Sequence, residues 1–348
     1  EKFDTQSDTE TLIKLYAKFK NNIFDMLDGM FAFCILDKEK NTLILAKDRA
    51  GKKPLYIYKK NNQFLFASEL NAIKTAINSI SINEEAIASY LRCGFFYNEF
   101  TPYDHVETVQ AGMIYEIHLD TLVTKKTSYF DIMNFYQKKS YESFENALTT
   151  CDELLHKSVK NRLVSSDLEV GAFLSGGIDS SLVVAIASQY TENLKTFTVK
   201  FDGGYDESHL AQLTAEKYHT DHHELRISLD LKNDIETILL NYGQPFTDSS
   251  AIPSYYVSKE AKKHVTVILN GDGADELFGG YRRYVPAANG LIPIAKKLRF
   301  LLHILPKPHH KQSVYNYLYR LLSMSPKSGL DFYLSATSDT FEDTYSFD

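Results

Sequence analysis

The sequence predicts an α/β protein in which an antiparallel, sheet-rich front region is followed by a doubly wound parallel sheet. The first third of the chain carries short β-prone runs separated by turn-like pieces, whereas from residue 141 onward strand patterns alternate with helix patterns. Between the two, from about residue 121, the chain becomes polar and rich in Lys, Ser and Tyr, as domain boundaries often are. We therefore expect one domain at 1–130 and a second at 141–348.

In the first domain the β-prone runs are short and closely spaced, which is typical of antiparallel strands joined by turns. The runs lie at 31–37, 42–48, 54–60, 63–69 and near 110–120. Cys34 alternates with Phe33 and Ile35 in the first run, so we expect this cysteine to lie in a core.

The second domain begins with a helix pattern at 141–164. Its apolar stripe consists of Phe144, Leu148, Cys151, Leu155 and Val159. After it, strand patterns alternate with helix patterns: strands at 170–174, 196–201, 222–227 and 265–270, and helices at 178–190, 207–219, 230–241 and 250–263. This alternation predicts βαβ units, in which ligands bind at the carboxyl ends of the strands.

The composition of the chain argues against nucleic acid and membranes as partners. The 348 residues are 44% hydrophobic and carry a net charge of −7 with both signs interspersed, so the chain lacks the basic face that nucleic acid requires. No apolar run is long enough to span a bilayer, which predicts no membrane partner. Three cysteines without a CxxC pair fit a reducing compartment, so we expect a cytoplasmic protein.

The stretch FLSGGIDSS (173–181) lies where a predicted parallel strand passes into a helix. Gly176 and Gly177 let the backbone turn tightly, and the amides of the turn then favour an anion. Serine hydroxyls add donors, and Asp179 fits an anion site if Mg²⁺ accompanies a polyphosphate. The pattern is neither GxxxxGK(S/T) nor GxGxxG, and an ordinary glycine-rich turn with a serine cap is the alternative.

A second turn has the same design. The segment VTVILNGDGADELFGGY (265–281) is a strand pattern followed by a turn with Asp272, Asp275 and Glu276 and with four glycines in ten residues. Acids at a helix N-terminus stabilise the helix dipole, which explains the acids without explaining the glycines. Because parallel strands end at one edge of a sheet, we expect both loops to share one Mg²⁺–polyphosphate, with Asp179 and Asp275 on opposite sides.

Three histidines in YHTDHHEL, at positions 219, 222 and 223, suggest a metal site at first sight. The neighbours His222 and His223, however, would point to opposite faces of a strand. We therefore expect no zinc site there.

Several segments carry a family likeness. In the second domain they are FLSGGIDSS, TFTVKF, YDESHLAQLTAEKYHTDHHEL, DSSAIPSYYVS and NGDGADELFGGY, and in the first they are SDTETLIKLY, LDGMFAFCILD, AKDRAGKKPLYIY and FLFASELNAIK. Together they resemble the glutamine-hydrolysing asparagine synthetase family, and SGGIDSS looks like the pyrophosphate-binding loop of ATP pyrophosphatases. The likeness runs over nearly all of residues 1–285.

The resemblance implies a fold and an activity. The fold would be an Ntn-type class II glutamine amidotransferase domain, N-terminally incomplete, followed by an adenine nucleotide α-hydrolase-like synthetase domain. ATP and Mg²⁺ would activate the aspartate side chain as β-aspartyl-AMP, which ammonia from glutamine converts to asparagine. The implied partners are ATP, aspartate and glutamine or ammonia, with a homodimer as the usual assembly.

Site residues follow from the resemblance by matching position. Asp272 matches the acid that supports the adenylate step, and Asp8 matches an acid that binds the amino group of glutamine. ATP binding is implied for Leu174, Ser175, Gly176, Gly177, Asp179, Ser180, Val199, Asn270 and Gly271, with Mg²⁺ held through pyrophosphate by Asp179 and Asp275.

Three departures from the family pattern limit these expectations. The family's glutaminase nucleophile is an N-terminal cysteine, whereas this chain starts with Glu1, and Cys34, Cys93 and Cys151 do not match that cysteine by position. A late lysine of the synthetase domain has no counterpart that we can place, and Asn270 stands where the family usually has Ser. We expect this chain to lack glutaminase activity and to be incomplete as a synthetase.

The pyrophosphate loop leaves other functions open. The same loop serves amidotransferases for a sugar acid in surface polysaccharide synthesis and enzymes that form β-lactams or peptide amides. A tRNA-modifying pyrophosphatase fits less well, because the chain is acidic and lacks a Cys pair. The non-enzymatic alternative is an inactive nucleotide-binding fragment, against which the intact Asp179 and Asp275 count.

Overall fold

The computed structural model describes residues 2–138, 142–201, 208–227, 230–248, 250–281, 284–308 and 313–337. Within these residues the chain forms two compact units. The first unit consists of 2–138 together with Leu239–Thr247, and the second consists of the other described residues between 142 and 337.

The first unit contains two antiparallel sheets with strand orders β1-β2-β6-β7 and β4-β3-β5. The strands are β1 (Ala32–Asp37), β2 (Thr42–Lys47), β3 (Tyr56–Lys60), β4 (Gln63–Ala67), β5 (Val106–Thr108), β6 (Met113–His118) and β7 (Thr124–Ser128). The helices are α1 (Asp8–Phe19), α2 (Leu70–Ala76), α3 (Glu84–Cys93) and α4 (Met133–Gln137), with a 3₁₀ helix at Lys20–Asp25.

Side chains of opposite parity on β2 enter two different cores. Leu45 packs with Tyr115 and Ile57, so it lies between the two sheets. Ile44 packs with Phe24 of the 3₁₀ helix on the other face of the first sheet. Successive side chains of β2 point to opposite faces of the sheet, and both faces are covered. The run TLILAK therefore carries apolar residues at successive positions. The predicted antiparallel front region is confirmed.

The polar segment from residue 121, predicted as a linker or domain boundary, contains the edge strand β7. Lys126 forms an ion pair with Glu107 at 3.0 Å, and Lys125 lies 3.7 Å from Glu116. Edge strands commonly carry charged side chains. A strand of this kind has no apolar run, so its sequence pattern does not predict a strand. The strand at the start of this segment belongs to the first unit, and the division between the two units comes after residue 138.

The second unit contains a four-stranded parallel sheet with the order β10-β9-β8-β11. The strands are β8 (Val170–Phe173), β9 (Lys195–Phe201), β10 (Asp221–Ile227) and β11 (Val267–Leu269). The helices are α5 (Phe144–Val164), α6 (Ile178–Ala187), α7 (Ser208–Tyr218), α8 (Leu231–Tyr242, whose last residues belong to the first unit), α9 (Ala251–Ala261), α10 (Ala274–Phe278), α11 (Val285–Ala288), α12 (Leu291–Lys297), α13 (Val314–Met324) and α14 (Gly329–Thr337).

Helices cover both faces of this sheet. Val159 of α5, Val184 of α6 and Ala211 of α7 share one core cluster with residues of β8. Ala261 of α9 packs with Phe197 in a second cluster on the other face. Parallel strands buried on both sides by crossover helices make a doubly wound sheet, so the predicted fold class is confirmed.

Only part of the predicted stripe on α5 is buried. Val159 lies in the core and Leu155 packs against it, but Phe144 is 77% exposed and Leu148 is 59% exposed. The C-terminal half of α5 packs on the sheet and α6, whereas its first turns extend beyond them. The predicted apolar stripe is therefore buried towards its C-terminal end and exposed at Phe144 and Leu148.

The apolar stretch near 291–305 forms α12 and a 3₁₀ helix at Arg299–His303. Ala295 is buried there against Leu321 and Leu322 of α13. Of the helices in the described part of the chain, none combines the length and apolar character that crossing a bilayer requires.

Candidate active site

The turn between β8 and α6 is braced by its own serines. The backbone N–H of Ser175 donates to Ser180 Oγ at 3.1 Å, and the two hydroxyl oxygens lie 2.8 Å apart. The N–H of Gly177 donates to Ser175 Oγ, also at 3.1 Å. Ser180 is buried, so its hydroxyl serves the turn, whereas the sequence predicts it as a donor to a ligand.

Four amides at the start of α6 lack a hydrogen-bond acceptor among the described residues, namely those of Gly176, Ile178, Asp179 and Ser180. The N-cap residue is Gly177, which has no side chain to cap the helix. Free N–H groups at a helix N-terminus, together with the helix dipole, attract an anion. The local geometry therefore suits the role predicted for this turn.

The turn after β11 lies directly against this end of α6. A Cβ built on Gly271 would lie 2.8 Å from the backbone nitrogen of Ser180 and 3.0 Å from Cβ of Asp179. No side chain fits into that space, so glycine is required for the close approach of the two backbones. The structure thus brings together the two loops that the sequence singles out.

The acids of the second turn have different surroundings. The side-chain amide of Asn270 donates to Asp272 Oδ2 at 2.7 Å. The carboxylate of Asp275 lies against Gly280, where a Cβ would be 2.0 Å from Asp275 Oδ1. Asp272 is the residue after Gly271, which makes the contact with α6. Asp275 lies three residues further along the chain, in the first turn of α10.

Asp179 and Asp275, the predicted Mg²⁺ ligands, lie in the first turns of α6 and α10. Across the ranges that the structure describes, no three His, Cys, Asp or Glu side chains are grouped so that they could hold a metal ion. Mg²⁺ prefers oxygen ligands and is commonly held by one or two carboxylates plus substrate phosphates. Two carboxylates from adjoining turns fit that donor set once a polyphosphate supplies the other oxygens.

Backbone groups of β8 and β9 form the neighbouring part of the site. The N–H of Leu174 donates to the carbonyl of Phe197 at 2.9 Å, and the hydroxyl of Thr198 donates to the carbonyl of Leu174. Because backbone groups alternate sides along a strand, Val199 directs its N–H and C=O to the same side as Phe197. Since β8 ends at Phe173, these groups of Val199 lie beyond the end of the neighbouring strand.

The histidines of β10 have separate partners. His222 Nδ1 lies 2.9 Å from the hydroxyl of Thr196, whereas His223 stacks on Phe197 with ring centroids 5.3 Å apart. The two rings therefore lie on opposite faces of the strand and cannot share one metal ion. Burial lowers the pKa of His222, and the charge of His223 acts in the same direction.

In the first unit, Asp8 occupies the exposed first turn of α1. Ser7 caps this helix by accepting the N–H of Thr9 at 3.2 Å, and the Thr9 hydroxyl donates to Asp8 Oδ1 at 3.3 Å. The carboxylate of Asp8 is thus accessible to solvent, where a ligand could reach it.

One organising residue of the first unit has no place among the predicted site residues. The carboxylate of Asp48 accepts four backbone N–H groups at 2.9–3.2 Å, those of Phe31, Ala50, Lys52 and Lys53. The sequence offers one signal for this role of Asp48, which is an Asp placed directly after a strand and before a glycine-containing turn. Asp side chains in such positions commonly accept hydrogen bonds from backbone N–H groups a few residues further on. Thr198, by contrast, gives no such signal in the sequence.

Solved structures offer only a distant likeness. An NH3-dependent NAD synthetase from Campylobacter jejuni matches 52% of this chain and 97% of its own, with 13% identity and a TM-score of 0.29. A glutamine-dependent NAD+ synthetase from Acinetobacter baumannii, in complex with ADP, matches 78% of this chain and 65% of its own, with 13% identity and a TM-score of 0.31. Likeness at this level says nothing about function.

Curated relatives are much more similar. "Asparagine synthetase [glutamine-hydrolyzing] 1" of Bacillus subtilis is 40% identical over 284 residues, which is 81% of this chain and 44% of the relative. "Putative asparagine synthetase [glutamine-hydrolyzing] 2" of Methanocaldococcus jannaschii is 36% identical over 288 residues, 81% of this chain and 55% of the relative. The chain thus spans about half the length of these relatives.

Two family models match the chain. The model of the glutamine amidotransferase domain matches residues 1–130. The asparagine synthase model matches residues 150–335, more than half of the chain, and includes both turns that meet at Gly271. The chain therefore belongs to the asparagine synthase family.

Proposed function

We propose that the second unit uses ATP to activate a carboxylate, and that the activity served is the amidation of aspartate to asparagine with nitrogen from glutamine or ammonia. The observation that carries this proposal is the contact at Gly271. It joins a turn that offers unpaired amides to a turn that offers carboxylates. Each turn alone is an ordinary strand–helix connection, and the pair has the groups that a Mg²⁺–polyphosphate requires.

The amides of Gly176, Ile178 and Asp179 are proposed to hold the pyrophosphate part of ATP. Their N–H groups lie at the positive end of the α6 dipole and take part in no internal hydrogen bond among the described residues. In that role they stabilise negative charge as it develops on the departing pyrophosphate. Ser175 and Ser180 contribute by keeping the turn in shape.

The nucleoside part of ATP is proposed to lie beside the backbone of Leu174 and Val199, with Asn270 and Gly271 on the other side. Support comes from the end of β8, past which the N–H and C=O of Val199 have no strand residue opposite. A backbone contact of this kind tolerates Asn270 in place of the serine usual in the family.

Asp179 and Asp275 are proposed to hold Mg²⁺ together with phosphate oxygens. When bound, the ion would neutralise phosphate charge and favour release of pyrophosphate. The carboxylates supply hard oxygen ligands from both turns, which is the donor type that Mg²⁺ prefers.

The proposed reaction has two steps. A carboxylate oxygen of aspartate bonds to the α-phosphorus of ATP while the bond to pyrophosphate breaks. Ammonia then bonds to the acyl carbon, the bond between that carbon and the AMP oxygen breaks, and the nitrogen gives up a proton. We assign Asp272 to support this second unit's chemistry, since its carboxylate adjoins the contact of the two turns and is oriented by Asn270. Asp8 is assigned to the amino group of glutamine in the first unit.

Membership of the asparagine synthase family supports this choice of substrate, as do relatives named glutamine-hydrolysing asparagine synthetases. A homodimer and a cytoplasmic location stay predictions. The sugar-acid, β-lactam and peptide-type acceptors enter as outcomes of the test below, because nothing in the turns favours one of them.

Because the chain spans about half the length of its relatives, the test uses the full-length reading frame that contains it. This protein is incubated with MgATP, aspartate and either ammonium or glutamine, and AMP, pyrophosphate and asparagine are measured. We expect AMP and asparagine in equal amounts with ammonium, and less of both from Asp179→Asn at the same limiting Mg²⁺ concentration. Asp167→Asn, an exposed change ahead of β8, is the matched control and should leave both unchanged. AMP formation with another carboxylate but not with aspartate would refute the substrate, and no ATP turnover with any acceptor would refute the activity.

A further inference from the structure

Thr198 places a buried hydroxyl at the point where β8 ends. The residue lies on β9 and is 6% exposed. Its hydroxyl donates to the carbonyl of Leu174, the first residue after β8. The N–H of the same peptide group, which belongs to Ser175, donates to Ser180 Oγ at 3.1 Å. The peptide group between Leu174 and Ser175 is therefore held at both its oxygen and its nitrogen.

The register of β8 and β9 shows which donor the carbonyl of Leu174 would receive if the ladder continued. Phe173 lies opposite Phe197, and the N–H of Leu174 donates to the carbonyl of Phe197 at 2.9 Å. In a parallel ladder the next bond would join the N–H of Val199 to the carbonyl of Leu174. Between these two residues, both of which the structure describes, no such bond is formed. The hydroxyl of Thr198 thus takes the place of a backbone donor.

The backbone of Val199 is left with an unpaired donor as a result. Its N–H points to the β8 side of the sheet and has no acceptor among the residues that the structure describes. Backbone N–H groups in folded proteins are nearly always paired with protein, water or a ligand. Val199 is only half-buried, so water or a ligand can reach this N–H. It lies at the carboxyl end of the parallel strands, where such sheets bind their ligands.

We propose that Thr198 is a positioning residue for ATP, whose hydroxyl occupies the carbonyl of Leu174 and so keeps the N–H of Val199 available to the nucleoside part of the nucleotide. The inference rests on the proposed function, in which the backbone of Val199 lies beside the nucleoside. Without the hydroxyl, the carbonyl of Leu174 would lack this donor, and the ladder bond from Val199 would satisfy it. The sheet would then gain one bond and the site would lose one donor.

Thr196 on the same strand provides a matched control. It is fully buried and lies two residues before Thr198, so both side chains are on the same face of β9. Its hydroxyl lies 2.8 Å from that of Thr220 and 2.9 Å from Nδ1 of His222, and it makes no bond to Leu174. Thr196→Val and Thr198→Val each remove a buried hydroxyl from β9. Both should lower stability, whereas Thr198→Val alone of the two should affect the N–H of Val199.

The first experiment follows the amide of Val199 by NMR in the full-length reading frame, deuterated and carrying ¹⁵N-labelled valine. The resonance is assigned by its loss in Val199→Ile. Without nucleotide, this amide should exchange with solvent about 10-fold more slowly in Thr198→Val than in wild type, Thr198→Ser or Thr196→Val. Loss of stability alone would speed exchange, so slower exchange is specific to the new ladder bond. An amide that is already protected in wild type, or equal exchange in wild type and Thr198→Val, would overturn the inference.

The second experiment compares the binding of MgATP with that of magnesium tripolyphosphate, which carries the phosphates without a nucleoside. Thr198→Val should bind MgATP about 10-fold more weakly and tripolyphosphate as wild type does. Thr198→Ser, which keeps the hydroxyl, and Thr196→Val should bind both ligands as wild type does. Equal weakening of both ligands in Thr198→Val, or weaker MgATP binding in Thr196→Val, would show a purely structural role and contradict the inference.

Two further results separate this inference from the proposed function. If wild type does not bind MgATP, the proposed function is refuted, and the exchange experiment still tests what the hydroxyl of Thr198 does to the N–H of Val199. If Thr198→Val does not fold, the wild-type amide decides. Its exchange should be fast without nucleotide, slowed by MgATP and unchanged by tripolyphosphate, and slowing by both ligands would contradict the inference.

Discussion

The two turns that meet at Gly271 differ in charge and in what holds them. The turn after β8 is braced by neutral hydroxyls and leaves amides unpaired. The turn after β11 carries carboxylates, one held by Asn270 and one packed on Gly280. The first is therefore suited to an anion and the second to a cation, and a metal-bound polyphosphate is a ligand that needs both.

The comparison teaches that the site depends on the contact more than on either motif. Taken by itself, each turn can be explained by helix stability without a ligand. The first would be a capped helix start, and the second would be acids at a helix N-terminus. The close approach of Gly271 to Ser180 brings the two turns together. Changes at the contact should consequently exceed changes within either turn.

Gly271→Ala should have the largest effect. The new Cβ would lie 2.8 Å from the Ser180 nitrogen, so the two turns must separate. Overpacking of this kind costs about 1–3 kcal/mol of stability, and a displacement near 1 Å can lower a rate by about 100-fold. Aspartate-dependent exchange of pyrophosphate into ATP, measured beside urea unfolding, checks both numbers.

Gly273→Ala is the control for that change, because Gly273 has a φ of +96° but nothing within 4 Å of a Cβ. It strains the backbone without touching α6. If Gly273→Ala lowers exchange as much as Gly271→Ala at equal loss of stability, the contact is not the decisive feature.

Asp179→Asn and Asp275→Asn should come next, since each removes one proposed oxygen ligand of Mg²⁺. We expect the Mg²⁺ concentration for half-maximal exchange to rise by about 10- to 100-fold in each, with little change in unfolding. An unchanged Mg²⁺ requirement in either variant would show that its turn does not supply the ligand.

Ser180→Ala should have a smaller effect, through the shape of the turn. Loss of the hydroxyl that bonds to Ser175 costs about 1 kcal/mol of stability and should raise KM for ATP a few-fold. Ser181→Ala, whose hydroxyl bonds outside the turn to Thr214, is the matched control. A large rise in KM without any loss of stability would instead mean that the Ser180 hydroxyl binds the ligand.

His222→Gln should have the smallest effect. His222 lies on β10, the strand beside β9, and not in either turn. Burial, followed by the charge of His223, lowers the pKa of His222 below its ordinary value of 6.5. The unfolded chain then binds a proton more readily, so this residue makes the protein lose stability as the pH falls below 6.5. Unfolding measured from pH 7 to pH 5 should show a flatter decline in the variant, and equal slopes would contradict the assignment.

The sequence predicts local elements of the second unit well where composition and geometry agree. The strand–glycine–helix pattern of FLSGGIDSS correctly gives β8, the turn and α6. On α5 the periodicity predicts the helix but not how far it packs, since Phe144 and Leu148 extend past the sheet. Periodicity defines a face, and only the length of the neighbouring elements decides how much of that face is covered.

The candidate site is predictable in part for a similar reason. Parallel strands end at one edge, which places both turns together in principle. That Gly271 meets the backbone of Ser180 depends on the register of β11 against β8, in which Leu269 lies opposite Ala172. Register between strands this far apart in the chain is set by packing of the whole sheet, and no local pattern encodes it. The brace between Ser175 and Ser180 likewise appears only once the turn is folded.

The serine brace has a consequence for the kinetics and heat of ligand binding. A turn that is already ordered loses little conformational entropy when it binds, so more of the interaction energy remains as affinity. Association then needs no slow rearrangement of this loop, and its rate is limited by encounter and orientation. We therefore expect nucleotide to bind at this turn at the rate at which it arrives there, not at the rate at which a loop folds around it.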